Sequence, residues 1–157
     1  LADYFDEKHA EDIFDYIPPQ QTNQIFTPRW VVKKMVDQLE EENPGCYDDP
    51  SATFADLYMK SGLYITEIVK RLFASEGLKA TYPDDGERIR HILRKQVYGM
   101  APTRIIYLIA MNYIFGFDEK LREMARSDKL PNFAEADAAN ASKSGTLQKL
   151  VDECFGE

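Results

Sequence analysis

The residues with the clearest chemical potential lie between positions 53 and 68, in the sequence TFADLYMKSGLYITEI. Asp56 ends a short apolar stretch, and the Ser61-Gly62 pair then precedes a second apolar run. This order predicts a buried strand, a tight turn and a helix. Small-molecule ligands of open α/β sheets bind in the crevice at the carboxyl ends of the strands. The segment therefore predicts a ligand site built around Asp56 and the turn.

A second candidate segment, Phe26-Thr27-Pro28, lies before this strand. Thr27 is a favourable N-cap and Pro28 a favourable first helical residue, so a helix is predicted to begin here. The apolar residues that follow have the spacing of one helix face: Val32, Met35, Val36 and Leu39. The free amides at a helix start can hold a carboxylate. A helix start of this kind is therefore suited to a ligand that carries a carboxylate.

The remaining patterns supply the elements that would position these residues. They predict strands over 53–57 and 96–100, a strand or strand end within 132–138, and helices over 65–72, 87–95, 102–115, 118–126 and 147–155. Strands that alternate with helices are typical of a parallel sheet. We expect an α/β fold with a partial, Rossmann-like sheet over residues 23–157, preceded by a helical N-terminal arm over residues 1–22.

The net charge of the 157-residue chain is −8. DNA-binding domains that act alone are usually basic, because counterion release from phosphates supplies much of their affinity. This chain is therefore not expected to hold DNA tightly by itself. Basic residues outnumber acidic ones only between residues 61 and 126, which is where a nucleic-acid face would lie.

Two cysteines, Cys46 and Cys154, and two histidines, His9 and His91, show no metal-ligand spacing. The low cysteine content fits a reducing compartment, so we expect a cytoplasmic protein without a metal. No apolar run reaches the ~20 residues of a membrane span, and the acidic first residues do not resemble a signal peptide.

Together, Phe26-Thr27-Pro28 and the loop from Asp56 to Gly62 resemble the cofactor-binding half of N6-adenine DNA methyltransferases of restriction-modification systems. The loop of that family typically reads Asp-Pro-x-x-Gly-x-Gly, and here it reads DLYMKSG. Lys60 replaces the first glycine, which resembles a variant branch with a Lys-Ser-Gly loop. The resemblance implies an S-adenosylmethionine-dependent methyltransferase fold.

The resemblance also implies the residues that bind S-adenosylmethionine: Thr27, Pro28, Asp56, Tyr58, Ser61, Gly62, Met100, Asp137 and Ala138. Asp56 corresponds to the acid that faces the amino group of the cofactor. Met100 and Asp137 would face its ribose and adenine. Ala101 falls near the position where the family has an acid that binds the ribose hydroxyls.

The resemblance places no catalytic residue in this chain. The family activates the adenine amine with an Asn/Asp-Pro-Pro-Tyr/Phe loop, and no such tetrapeptide occurs here. The chain begins at Leu1 and ends just before the point where that loop would follow, so we expect an excerpt that methylates nothing alone. The whole enzyme would contact DNA through other parts and would act with restriction or specificity subunits.

Two alternatives remain open from the sequence. The altered positions Lys60 and Ala101 fit a non-catalytic assembly or docking module that has lost the cofactor. A methyltransferase that acts on RNA or protein is the other alternative, against which the Phe-Thr-Pro segment argues by resemblance.

Overall fold

A computed structural model describes residues 27–115 and 132–156 of the chain. The predicted arm over residues 1–22, Phe26 and the predicted charged helix over 118–126 lie outside the described residues. Within the described ranges the protein has mixed α/β structure, as the sequence predicts.

Three strands and a series of helices alternate along the described chain. The strands are β1 (Phe54–Asp56), β2 (Val97–Ala101) and β3 (Phe133–Glu135). The helices are α1 (Arg29–Glu42), α2 (Leu63–Ala74), α3 (Glu76–Thr81), α4 (Asp85–His91), α5 (Arg104–Phe115), α6 (Ala138–Ser144) and α7 (Leu147–Phe155). A π-helical turn, Ile92–Gln96, joins α4 to β2.

The described strands form one parallel sheet in the order β1-β2-β3. Asp56 pairs with Gly99, and Ala101 pairs with Glu135. Because all three strands run in the same direction, their carboxyl ends meet at one edge of the sheet. The acid at the end of β1 therefore lies at the edge where an α/β fold places its ligands.

Helix α2 lies at the centre of the packing and contacts α1, α5, β1 and β2. Its apolar face supplies the fully buried side chains Ile65, Val69 and Leu72. This face follows the helical spacing of the sequence, which explains why α2 was predictable. In the described ranges, no helix combines the length and apolarity that crossing a membrane requires.

Two buried amides fix the strands at their amino ends. The Gln96 side chain, fully buried, donates from Nε2 to the carbonyls of Asp49 and Ala52 at 3.1 Å each. Asn132 donates from Nδ2 to the carbonyls of Leu93 and Val97. These bonds hold the loop before β1 and the start of β3 against the segment that leads into β2.

The prediction that Thr27 caps α1 is wrong. Pro28 is the N-cap, with an extended backbone (φ −60°, ψ 146°), and α1 begins at Arg29. The Pro28 carbonyl accepts from the amides of Val31 and Val32 at 3.0 and 3.2 Å, so the fixed φ of proline starts the helix without a side-chain cap. Thr27 is thereby left outside the helix.

Candidate functional site

A small cavity lies at the carboxyl end of β1, between the loop after that strand and the start of α2. Its volume is about 70 Å³. Its lining residues are Thr27, Asp56, Tyr58, Lys60, Ser61, Gly62, Leu63 and Tyr64. The structure thus brings together five residues that the sequence analysis assigned to one site: Thr27, Asp56, Tyr58, Ser61 and Gly62.

Asp56 supplies the negative charge of this cavity. Its carboxylate is half-buried, and Oδ1 accepts a hydrogen bond of 3.0 Å from the backbone amide of Tyr58. Burial raises the pKa of Asp56, and the Tyr58 amide offsets part of that rise. A carboxylate that is partly removed from water gains more from a cationic partner than an exposed one does. The site is therefore suited to a ligand that brings a positive charge to Asp56.

Gly62 shapes the turn between the loop and α2. Its backbone is left-handed (φ 84°, ψ 7°), a conformation that side chains disfavour. A Cβ atom on Gly62 would lie 3.2 Å from both the Ala110 carbonyl oxygen and Ile114 Cγ1. Gly62 is thus required by the turn and by the close approach of α5. The Cβ contacts point toward α5, whereas the resemblance implied that Gly62 binds the cofactor.

Met59 attaches the loop to the neighbouring strand. Its amide donates to the Met100 carbonyl at 2.8 Å, and its fully buried side chain lies over Gly99. A Cβ atom on Gly99 would be 2.5 Å from Met59 Sδ and 3.2 Å from Phe133 Cδ1. The loop that carries Tyr58, Lys60 and Ser61 is therefore held on the sheet by a backbone bond and by core packing.

Four of the predicted site residues do not line this cavity. Pro28 is exposed beside Thr27, and the side chain of Met100 is fully buried within the sheet layer. Ala138 is buried at the start of α6. Asp137 accepts a 2.9 Å bond from the Asn140 amide and so caps α6. Asp137 nevertheless follows β3 at the same edge of the sheet at which Asp56 ends β1.

Three lining residues were absent from the predicted set: Lys60, Leu63 and Tyr64. In the sequence, Lys60 marks only a departure from a glycine pattern. Its place inside the loop, four residues after the strand-ending acid, is the signal that could have assigned it to the cavity. Leu63 and Tyr64 are the first residues of α2, which the predicted helix start at Ile65 left out.

Among residues 27–115 and 132–156, no group of three or more His, Cys, Asp or Glu side chains has metal-binding geometry. A larger, open and mostly apolar groove of about 260 Å³ adjoins the cavity and shares Asp56 and Tyr64 with it. Met35, Leu39, Ala55 and Ile68 complete the lining of this groove.

Comparison with known proteins relates the chain to adenine methylases. No family model matches it. Over 109 residues it is 25% identical to an uncharacterized adenine-specific methylase of Mycoplasma pneumoniae (strain ATCC 29342 / M129). The match covers 69% of this chain and 25% of the relative. The chain thus spans about a quarter of that methylase.

A solved structure shares the fold. It is an ATP-dependent Type ISP restriction-modification enzyme, LlaBIII, bound to DNA, with a TM-score of 0.57 and 16% identity. The superposition covers 87% of this chain and 10% of that enzyme. The resemblance to adenine-specific methylases, which the sequence motifs predict, is confirmed by the first similarity, and the second shows that the fold is shared with a restriction-modification enzyme.

Proposed function

We propose that this chain is the cofactor-binding part of an adenine-specific DNA methyltransferase of a restriction-modification system. In this proposal residues 23–157 form an incomplete, Rossmann-like domain that binds S-adenosylmethionine. The observation that carries the proposal is the cavity at the end of β1, where Thr27, Asp56 and Gly62 lie together. The similarity to an adenine-specific methylase supports the same assignment.

The charge of Asp56 fits the amino-acid end of S-adenosylmethionine. The cofactor carries an ammonium group there, and Asp56 offers a half-buried carboxylate with one oxygen already oriented by the Tyr58 amide. An ammonium that pairs with this carboxylate would make a charge-assisted hydrogen bond. Asp56 therefore orients the cofactor as well as binding it.

Two acids at the carboxyl edge of the sheet are separated by a distance that an extended ligand could span. Asp56 follows β1 and Asp137 follows β3, with β2 between them. Two strand spacings correspond to roughly 10 Å. A ligand that lies across the carboxyl edge of the sheet could thus place its amino-acid end at Asp56 and its adenine near Asp137. Asp137 would then accept from the adenine amino group in addition to capping α6.

The cofactor would supply the methyl group, and this chain would bind and orient it. The groups that activate adenine N6 belong to other parts of the whole enzyme, because the chain holds no Asn-Pro-Pro-Tyr-type sequence. Contact with DNA is assigned to those parts as well, in keeping with the acidic net charge of −8.

Methyl transfer by the full-length protein that carries this sequence tests the proposal. The assay would follow label from S-adenosylmethionine into adenine-containing DNA, with the 157-residue chain measured alongside. We expect transfer to adenine N6 by the full-length protein, loss of transfer in its Asp56→Asn variant, and none by the chain alone. Label on cytosine, RNA or protein would contradict the proposed substrate.

One observation favours the alternative of a non-catalytic docking module. Ala101, fully buried at the end of β2, provides no side-chain acceptor where the family binds the ribose hydroxyls. A lost acceptor for a bound ligand costs about 1–3 kcal/mol. If the full-length protein transfers no methyl group and binds no S-adenosylmethionine, this alternative replaces the first.

A further inference from the structure

Lys60 stands where the typical loop of the family that the sequence resembles has a glycine, and it lines the same cavity as Asp56. Its side chain is exposed, and within the described part of the chain it forms neither a hydrogen bond nor an ion pair. The ammonium group of Lys60 is therefore free to meet a ligand at the cavity without first giving up a partner in the protein.

The start of α2 adds to the positive charge on this side. Its N-cap is Gly62, which has no side chain to accept from the first amides of the helix. The unbonded amides at the start of a helix carry a partial positive charge and attract anions. Lys60, two residues before this cap, and the helix start together form a positive wall, and Asp56 forms a negative one.

The size of the cavity limits what can occupy it. Sites that enclose a whole small molecule measure about 300–1,000 Å³, whereas this cavity holds about 70 Å³. A small charged group therefore fits better than a complete nucleoside. An α-amino-acid head carries an ammonium for Asp56 and a carboxylate for the positive wall, so it matches both charges at once.

We propose that Lys60 binds the carboxylate of the ligand's α-amino-acid group and thereby makes the site selective for ligands that carry that zwitterionic head. This inference rests on the proposed function, since it takes a nucleoside with an amino-acid tail as the ligand. It gives a charged side chain a role at a position that is glycine in the typical loop of the family. Because Lys60 is exposed, its contribution is screened by salt.

The test compares two nucleosides in calorimetric titrations of the full-length protein. S-Adenosylhomocysteine carries the α-amino-acid head, and 5′-methylthioadenosine lacks it. The variant Lys60→Gln removes the charge, and Lys79→Gln, which alters an exposed lysine on α3 outside the cavity, is the matched control. Urea unfolding of both variants verifies that they remain folded.

We expect Lys60→Gln to weaken the binding of S-adenosylhomocysteine about two- to fivefold and to leave the binding of 5′-methylthioadenosine unchanged. Raising the salt concentration should reduce the difference in affinity for S-adenosylhomocysteine between the wild-type protein and Lys60→Gln. Unchanged affinity for S-adenosylhomocysteine, or an equal loss for both nucleosides, would overturn the role of Lys60 while the proposed function stands. Failure of the wild-type protein to bind either nucleoside would overturn both.

Discussion

The backbone amide of Met59 donates a 2.8 Å hydrogen bond to the carbonyl of Met100. This bond joins the loop after β1 to the end of β2, two segments that lie more than 40 residues apart in the sequence. The side chain of Met59, which is buried, extends from the same loop and covers Gly99 of β2. The walls of the candidate site are therefore built on the core rather than on a loose surface loop.

Gly99→Ala is expected to destabilise the protein by about 1–3 kcal/mol, the usual cost of overpacking a core. The new Cβ would lie 2.5 Å from the Sδ atom of Met59, whose side chain is fully buried and would have to shift within the core. In a Met59→Ala background the penalty of Gly99→Ala should fall by at least half, as a double-mutant cycle in urea would show. The same penalty in both backgrounds would contradict the packing described for Met59.

Gly62→Ala should destabilise more than Gly145→Ala does. Both glycines have a positive φ, 84° and 74°, so both substitutions carry the strain of a left-handed residue. Only at Gly62 does the added Cβ meet other atoms, whereas nothing lies within 4 Å at Gly145. The two variants should differ in their free energy of unfolding by about 1 kcal/mol or more. This difference measures the contact of the added Cβ with α5. Equal losses would mean that backbone conformation alone requires Gly62.

Asp56→Asn is expected to stabilise the ligand-free protein at pH 7. Burial raises the pKa of Asp56, so the folded state holds the proton more tightly than the unfolded state does. The stability contribution of such a group is present below the unfolded pKa of about 3.9 and is lost as pH rises through the folded pKa. Asparagine carries no charge at any of these pH values, so the Asp56→Asn protein does not lose this stability as pH rises. Its side-chain oxygen can still accept a hydrogen bond from the Tyr58 amide.

Urea midpoints at pH 7 and near pH 3 would measure this effect, with Asp49→Asn as the control. The pKa of Asp49, an exposed acid, is lowered by the Ser51 side chain and amide, so its replacement should not stabilise at pH 7. The higher stability of Asp56→Asn relative to the wild-type protein should disappear near pH 3. An Asp56→Asn protein less stable than wild type at pH 7 would show that the carboxylate serves the fold.

Two tyrosines that contact α1 should differ in their response to loss of the hydroxyl. The buried Tyr47 hydroxyl donates to the Val36 carbonyl at 2.8 Å, so Tyr47→Phe is expected to cost about 1 kcal/mol. Tyr64 donates at an exposed position to the thioether of Met35, a weak acceptor, so Tyr64→Phe should change stability by less than about 0.5 kcal/mol. Thermal unfolding of the two variants would show the ranking, and a reversed order would contradict it.

The sequence predicted the parts of the fold that depend on local pattern. Helices α1 and α2 carry apolar residues at helical spacing, and an acid directly after an apolar stretch located the end of β1. Short helices without such a face were missed. In α6 the residues AANASKS offer no large apolar side chain, and α3 contains Gly77, whose hydrogen atom leaves space for the Asp48 backbone.

The parts of the site that depend on distant segments could not be read from the sequence. The contact of Met59 with Gly99 and Met100 requires β1 and β2 to be neighbours in a defined register. Whether Thr27 or Pro28 is the N-cap of α1 depends on which backbone carbonyl accepts the first hydrogen bonds of the helix. Asp137 follows β3 at the carboxyl edge of the sheet, and its role as a helix cap appears only in the folded chain.

Calorimetric titration of S-adenosylmethionine into the full-length protein tests the central claim most directly, with Asp56→Asn and Asp49→Asn measured beside it. Our account predicts saturable binding that Asp56→Asn weakens about 10- to 100-fold, the worth of a hydrogen bond to a charged group, and that Asp49→Asn leaves unchanged. Binding that survives Asp56→Asn undiminished, or no binding by the wild-type protein, would contradict the assignment of the cavity at β1 to this cofactor.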